Sequence, residues 1–320
     1  VVAACSYEAR RYGIHSAMAA VTARRRCPRA IFLRPRFEVY KEVSCRIREI
    51  LFRFTDLVEP LSLDEAFLDV TLNKKGMASA TRIAEEIKET IRAETGLVAS
   101  AGVSFNKFLA KIASDFQKPD GLTVVPPEAA ESFIEGLEIG RFYGVGRSTE
   151  SRMHALGIRT GADLRRAELS VLLRHFGKAG RFFYAIARGR DDRPVTPERI
   201  RKSLGKETTL SEDIDDPDQM LDILREIAHR LEQLVRTHQI QARTVVLKVK
   251  YADFQTVTRS ATLRFPVETA PVMMRHVSEL LTRTAAGPKK VRLLGITLSN
   301  FIGDDAVTRC HQQLPLPFLT

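Results

Sequence analysis

The stretch Glu59-Pro60-Leu61-Ser62-Leu63-Asp64-Glu65-Ala66-Phe67-Leu68-Asp69-Val70 decides the reading of this chain. An apolar run is interrupted by two adjacent carboxylates, Asp64 and Glu65, and then resumes. Neighbouring side chains on a regular strand point to opposite faces, so there the pair could not share a ligand. Pro60 and Ser62 instead predict a tight hairpin corner, from which both carboxylates can aim at one point. Two hard oxygen ligands at a strand edge suit Mg²⁺, which takes one or two carboxylates together with substrate phosphates. The same residues also read as a polar turn between two strands, and spacing alone leaves both readings open.

Composition narrows the partners. At 320 residues the chain is long enough for about two domains, or more if some are small. A formal charge of +11 and a pI near 9.7 point to a polyanion. Trp is absent and aromatics make up only 7%, which argues against extensive stacking of unpaired bases. Cys5, Cys27, Cys45 and Cys310 are too scattered for zinc-finger or redox spacing and fit a reducing cytosol. No signal peptide or membrane-length apolar run is visible, and no G-x-G-x-x-G or Walker lysine motif occurs.

Outward from the acidic corner, Val1 to Cys5 reads as a buried strand end leading into a capped helical turn at Ser6–Gly13. Tyr7 and Arg10 stand three apart on one face, where a phenol and a guanidinium can hold phosphate oxygens. Residues 1–50 carry eleven Lys+Arg against four Asp+Glu, concentrated at Arg24-Arg25-Arg26 and Arg29. Such a run is more often a solvated face than a binding one, but here it adds to the basic bias of the whole chain. Residues 30–34 look like a strand, and 36–54 like a helix with Val39, Val43, Ile47 and Leu51 inward. Ala80 to Thr95 is an amphipathic helix with Ile83, Ile87 and Ile91 inward, and 97–103 is a short strand. A helix with Leu109, Ile112 and Phe116 follows, stops at Lys118-Pro119-Asp120-Gly121, and gives way to a strand at 121–125. This mixture is an α+β, palm-like pattern rather than a βαβ repeat.

From 128 to 190 the strand signal disappears. Gly144-Val145-Gly146 between short helices resembles a helix-hairpin-helix, whose bare backbone N–H groups meet a DNA phosphate without reading a base. Glycine also closes ordinary helical hairpins. Beyond a polar break at 188–194, the elements run β-α-β-β-α-β over 203–300, which predicts one sheet with both helices on one side. Lys248 and Lys250 alternate along one inner strand; Thr256, Thr258, Ser260 and Thr262 line the next, with Arg259 close by. Hydroxyls and cations fit a phosphate backbone, although a plain solvated face reads the same way. The tail, Gln312 to Thr320, is short, apolar and Pro-rich, as in a peptide that docks into a partner's groove.

Together these motifs resemble the Y-family DNA polymerases of the bacterial DNA polymerase IV (DinB) type. The resemblance rests on Ser6-Tyr7-Glu8-Ala9-Arg10, Ser62-Leu63-Asp64-Glu65-Ala66, Ser100-Ala101-Gly102-Val103, Leu109-Ala110-Lys111-Ile112-Ala113-Ser114-Asp115, Lys118-Pro119-Asp120-Gly121, Gly144-Val145-Gly146 and Arg201-Lys202-Ser203. It implies a multidomain right-hand polymerase: partial fingers at 1–34, a partial palm at 35–127 and an all-helical thumb at 128–190. A basic linker at 191–202, a little-finger DNA-binding domain at 203–302 and a clamp-binding tail at 303–320 would follow. It also implies template-directed, low-fidelity addition of dNTPs to a primer 3′ end, with two Mg²⁺ ions and synthesis past damaged bases. Asp64 and Glu65 match the metal carboxylates; Tyr7, Arg10 and Lys118 match the triphosphate grip; Ala3 matches a small residue against the nascent base pair. Lys111 reads as structural. Gly144, Val145, Gly146, Arg201, Lys202, Thr258 and Arg259 are expected on DNA, and Gln313, Leu316 and Phe318 on the sliding clamp. The implied protein is a monomer of the bacterial cytoplasm, on the nucleoid and not on a membrane.

The resemblance also places another metal-ligating aspartate, and a bulky residue that excludes ribonucleotides, ahead of Val1. From this the 320-residue chain alone is expected to be inactive or nearly so. Primer extension by it at a rate near the parent protein's would refute that expectation. The competing expectation is a non-catalytic, Y-family-like adapter that binds DNA and the clamp.

Overall fold

The acidic corner is a hairpin. In the computed structural model, which describes residues 1–198 and 200–302, β1 (Val58–Pro60) pairs antiparallel with β2 (Ala66–Leu68), in register Val58↔Leu68 to Pro60↔Ala66. Gln313, Leu316, Phe318, Arg199 and Cys310 lie outside the described residues. By its contacts the chain divides into two units. Val1–Thr55, Leu63–Glu65 and Asp69–Arg193 form one; Asp56–Ser62, Ala66–Leu68 and the described residues from Pro194 onward form the other.

The first unit begins with three helices, α1 (Tyr7–Arg10), α2 (Ala20–Arg26) and α3 (Phe37–Phe52). The strand expected at Val1–Cys5 does not form: Val1 is exposed, and Val2 exchanges backbone hydrogen bonds with Ala17 and Met18 at an isolated contact. The strand expected at 30–34 is also corrected. Ile31 and Leu33 are 86% and 85% exposed, and among the described residues no strand pairs with this run. A short apolar run makes a strand only where a ladder partner takes up the backbone groups. On α3 the inward stripe holds at Ile47 and Leu51 but leaves Val39 partly exposed, because a four-residue spacing drifts about 40° per step around a 3.6-residue helix. Ile50 joins Phe54, Ile83 and Ile91 in a core between α3 and α4 (Ala80–Thr95). Ser79 caps α4 at its start, and Gly96 closes it in the left-handed region at φ 71°.

β3 (Ala101–Ser104) runs parallel to β4 (Leu122–Val125), and the connection carries α5 (Lys107–Phe116). Gly102 makes this packing possible: a Cβ there would lie 2.0 Å from the Ala110 carbonyl oxygen of α5. Helix α5 buries Phe108, Leu109 and Ile112 in a second core built with the short helices α6 (Ala130–Glu135), α7 (Arg147–Ala155), α8 (Gly161–Arg166), α9 (Leu169–Phe176) and α10 (Lys178–Ile186). Phe116, on the same helix, is 44% exposed and packs its ring on Phe133.

The N-terminus of α5 is fastened by residues more than eighty positions away. The Phe108 N–H donates to Asp191, and the Asn106 side-chain amide donates to the Gly189 carbonyl. Asp191 is only 2% exposed and holds Arg193 through both carboxylate oxygens, at 2.6 and 2.8 Å. Burial pushes the Asp191 carboxyl up, but Arg193 and the Phe108 N–H outweigh it and hold the group below its ordinary value. A depressed folded-state pKa gives stability that is complete above the unfolded value and lost as pH falls through the folded one. Asp191→Ala is therefore expected to cost about 2–3 kcal/mol in urea unfolding at neutral pH. It should also flatten the loss of stability below about pH 4. A change under about 0.5 kcal/mol, the size of an ordinary surface substitution, would show that this cap carries no weight.

The second unit follows the order read from the sequence. β5 (Ser203–Ile214), α11 (Pro217–Thr237), β6 (Ala242–Tyr251), β7 (Thr256–Thr262), α12 (Ala270–Thr282) and β8 (Val291–Phe301) form a four-stranded antiparallel sheet ordered β5-β8-β6-β7. β8 lies between β5 and β6, the split βαβ arrangement. Val245, Leu247 and Val249 alternate inward against Leu224, Ile227, Met273 and Val277 of the two helices. The other face carries no helix among the described residues.

Candidate active site and nucleic-acid interface

Helix α1 starts where the Ser6 hydroxyl accepts from the Ala9 N–H. The short turn leaves Tyr7 and Arg10 exposed, with the Arg10 guanidinium 5.8 Å from the centre of the Tyr7 ring. Ala3, also exposed, stands just upstream. In the hairpin loop Asp64 is exposed, while Glu65 is half-buried and accepts from the Lys111 ammonium at 2.8 Å. Lys111 is 15% exposed on α5. One helical turn further along, Asp115 holds Lys118 at 2.6 Å.

Lys118 ties these groups together. Its ammonium is held above the ordinary lysine value, first by the hydrogen bond to Asp115. Burial opposes this, and Coulombic attraction to Asp115, Glu65 and Tyr7 adds to it. Carboxylate and phenol from segments far apart in sequence thus act on one cation. Lys111 and Asp115 of α5 anchor Glu65 and Lys118, with Tyr7 and Glu65 in electrostatic reach of Lys118, while Arg10 is placed against the Tyr7 ring. The sequence reads Lys111 as structural; the i, i+4, i+7 spacing of residues 111, 115 and 118 is the signal that could have shown it beside the site. Among the described residues no group of three or more His, Cys, Asp or Glu forms a metal cage. The exposed Asp64 carboxylate beside the half-buried Glu65 fits a cation whose remaining ligands are phosphate oxygens and water.

Elsewhere in the first unit, Gly144 adopts φ 92°, and Gly146 starts α7 without a side-chain cap. Both glycines are exposed. Val145 differs: its N–H donates to the Phe142 carbonyl and its side chain packs on the helical core, so only its neighbours present open backbone.

In the second unit the register pairs Lys248 with Thr258, Val246 with Ser260 and Leu247 with Arg259. Thr258 therefore shares the open face with Lys248 and Lys250. Arg259 follows buried Leu247 to the helix side, where it donates to the Arg283 carbonyl at the end of α12. Arg259, expected beside Thr258, is thus sent by strand parity to the helix-covered face and not to the open one. Lys202 is exposed, whereas Arg201 is half-buried near His238. Burial and the Arg201 charge hold the imidazole below its ordinary value. No helix is long and apolar enough to cross a membrane among the described residues.

Comparison with known proteins places this geometry. The impB/mucB/samB family matches residues 1–115, the DNA polymerase-iota thumb domain residues 142–191, and the impB/mucB/samB family C-terminal domain residues 201–316. DNA polymerase IV of Alkalilimnicola ehrlichii is 54% identical over 302 residues, 94% of this chain and 85% of the relative. DNA polymerase IV of Clostridium perfringens is 51% identical over 314 residues, 98% of this chain and 87% of the relative. Among solved structures, the Y-family DNA polymerase chimera Dbh-Dpo4(243-245)-Dbh superposes with a TM-score of 0.83 at 27% identity, covering 93% of this chain and 86% of that one. An insertion ternary complex of Dbh DNA polymerase gives 0.60 at 26% identity over 93% and 86%. The chain therefore has the α+β, multidomain fold of the DNA polymerase IV (DinB) type and belongs to the Y-family DNA polymerases, divalent-metal-dependent, DNA-directed enzymes of translesion synthesis.

Proposed function

We propose that the polymerase carrying this sequence adds dNTPs to a primer 3′ end under template direction, with Asp64 and Glu65 holding Mg²⁺ and Tyr7, Arg10 and Lys118 gripping the triphosphate. The observation that carries this reading is that α5 anchors both sides of the site, Lys111 holding the hairpin carboxylate Glu65 at 2.8 Å and Asp115, one turn on, holding Lys118 at 2.6 Å. Bound Mg²⁺ supplies charge neutralisation at the triphosphate and a lowered pKa at the primer hydroxyl. Lys118 and Arg10 place fixed positive charge where negative charge accumulates on the departing pyrophosphate. Tyr7 donates from its phenol to a phosphate oxygen, and Ala3 leaves room for the nascent base pair. Lys111 keeps the Glu65 carboxylate from turning away, a positioning role.

The same reading assigns residues 1–34 to fingers, 35–127 to palm, 128–190 to thumb and 203–302 to a little finger. The open backbone at Gly144 and Gly146 meets primer–template phosphates, as do Lys202 and the hydroxyl and lysine face that includes Thr258. Gln313, Leu316 and Phe318 form a sliding-clamp peptide.

Equilibrium binding of each dNTP to the protein on a primer–template tests the reading. Only the nucleotide complementary to the template base should bind tightly, and chelation of divalent cations should abolish the preference. A protein that binds DNA with no cation-dependent nucleotide selection would be the adapter instead.

A further inference from the structure

On the open face of the second unit, Glu207 of β5, Gly295 of β8, Lys248 of β6 and Thr258 of β7 stand in one row across the sheet. The Lys248 ammonium reaches over Gly295 to the Glu207 carboxylate at 2.7 Å. The glycine is what permits this. A Cβ at 295 would come within 2.7 Å of the Glu207 Cβ, closer than two such carbons approach. Glu207 is the one acidic residue at the paired positions of this face, which otherwise carry hydroxyls, small residues and lysines together with the apolar Val246 and Leu293. Both members of the pair are partly screened, at 28% and 34% exposure, so the contact is more than a fully solvated surface bridge.

We infer that Glu207 is a built-in restraint on DNA affinity: it holds Lys248 across the sheet and competes with backbone phosphate for it. The inference rests on the reading of this face as a DNA surface. Each lysine freed to neutralise a phosphate releases one more counterion, which raises affinity and steepens its dependence on salt. With Lys248 engaged in advance, the face meets DNA mainly through Lys250 and the hydroxyls of Thr244, Thr258, Ser260 and Thr262. A restraint of this kind favours repeated release over long residence on the template.

Fluorescence anisotropy of a labelled primer–template, titrated with the whole protein at several salt concentrations, tests this. Glu207→Gln is expected to tighten binding about fivefold at moderate salt and to steepen the log–log salt slope by about 0.9. Adding Lys248→Gln to that variant should erase the gain. Alone, Lys248→Gln should weaken binding less than Lys250→Gln, because Lys248 is already engaged. The inference is overturned if Glu207→Gln leaves affinity unchanged. It is equally overturned if the gain survives without Lys248, which would make it a net-charge effect, or if the two single lysine variants cost the same. Should Lys250→Gln leave the salt slope untouched, the reading of the face as a DNA surface fails, and the inference with it.

Discussion

Asp64→Ala is expected to reduce primer extension by the polymerase that carries this sequence about a thousandfold or more, with primer–template affinity changed less than twofold. Metal stabilisation of transition-state charge amounts to several kcal/mol, and each 1.36 kcal/mol is a factor of ten in rate. Asp64 is exposed in its loop, so its removal empties no core, and thermal stability should stay within about 0.5 kcal/mol of wild type. Single-turnover incorporation together with filter binding separates the two effects. Equal loss of catalysis and DNA binding would make Asp64 a structural residue and sink its assignment as a metal ligand.

Lys118→Met is expected to raise KM for the incoming dNTP by about 10- to 100-fold. That range corresponds to the roughly 1.5–3 kcal/mol of a hydrogen bond to a charged group. Methionine keeps the length and apolar stem of the side chain, so the variant tests the charge. Because Asp115, Glu65 and Tyr7 hold the wild-type ammonium above its ordinary pKa, nucleotide affinity should not fall with rising pH before a free lysine would titrate. DNA affinity should be unaffected, since its proposed contacts lie at Gly144, Gly146 and the open sheet face. A lowered kcat with unchanged KM would move Lys118 from ground-state binding to a transition-state-only contact.

Much of the second unit was legible because its signals are local. Val245, Leu247, Val249 and Tyr251 alternate with period two, and α11 repeats its apolar residues over twenty-one positions. A local signal misled at Ile31–Leu33, where a short apolar run reads as a strand but no paired strand exists among the described residues. Arg259 was misplaced because nearness in sequence was taken for a shared face, when strand parity sends it with Leu247. Asp64 and Glu65 announced themselves as a carboxylate pair interrupting an apolar run. Their surroundings could not be derived that way. Lys111 reaches Glu65 across forty-six positions, and Asp191 reaches Phe108 across eighty-three, contacts that only tertiary packing creates. Glu207 and Lys248 likewise meet only because Gly295 lies between them in the folded sheet.

The central claim is that the carboxylates of the hairpin and the Lys118 cation just past the end of α5 form one nucleotide site. A double-mutant cycle in Mg²⁺-dependent binding of the complementary dNTP, built from Glu65→Gln and Lys118→Met, tests it most directly. Groups that hold the same bound nucleotide should show a coupling energy above about 0.5 kcal/mol. Losses that simply add, to within that margin, would mean that Glu65 and Lys118 serve separate sites and would contradict the account.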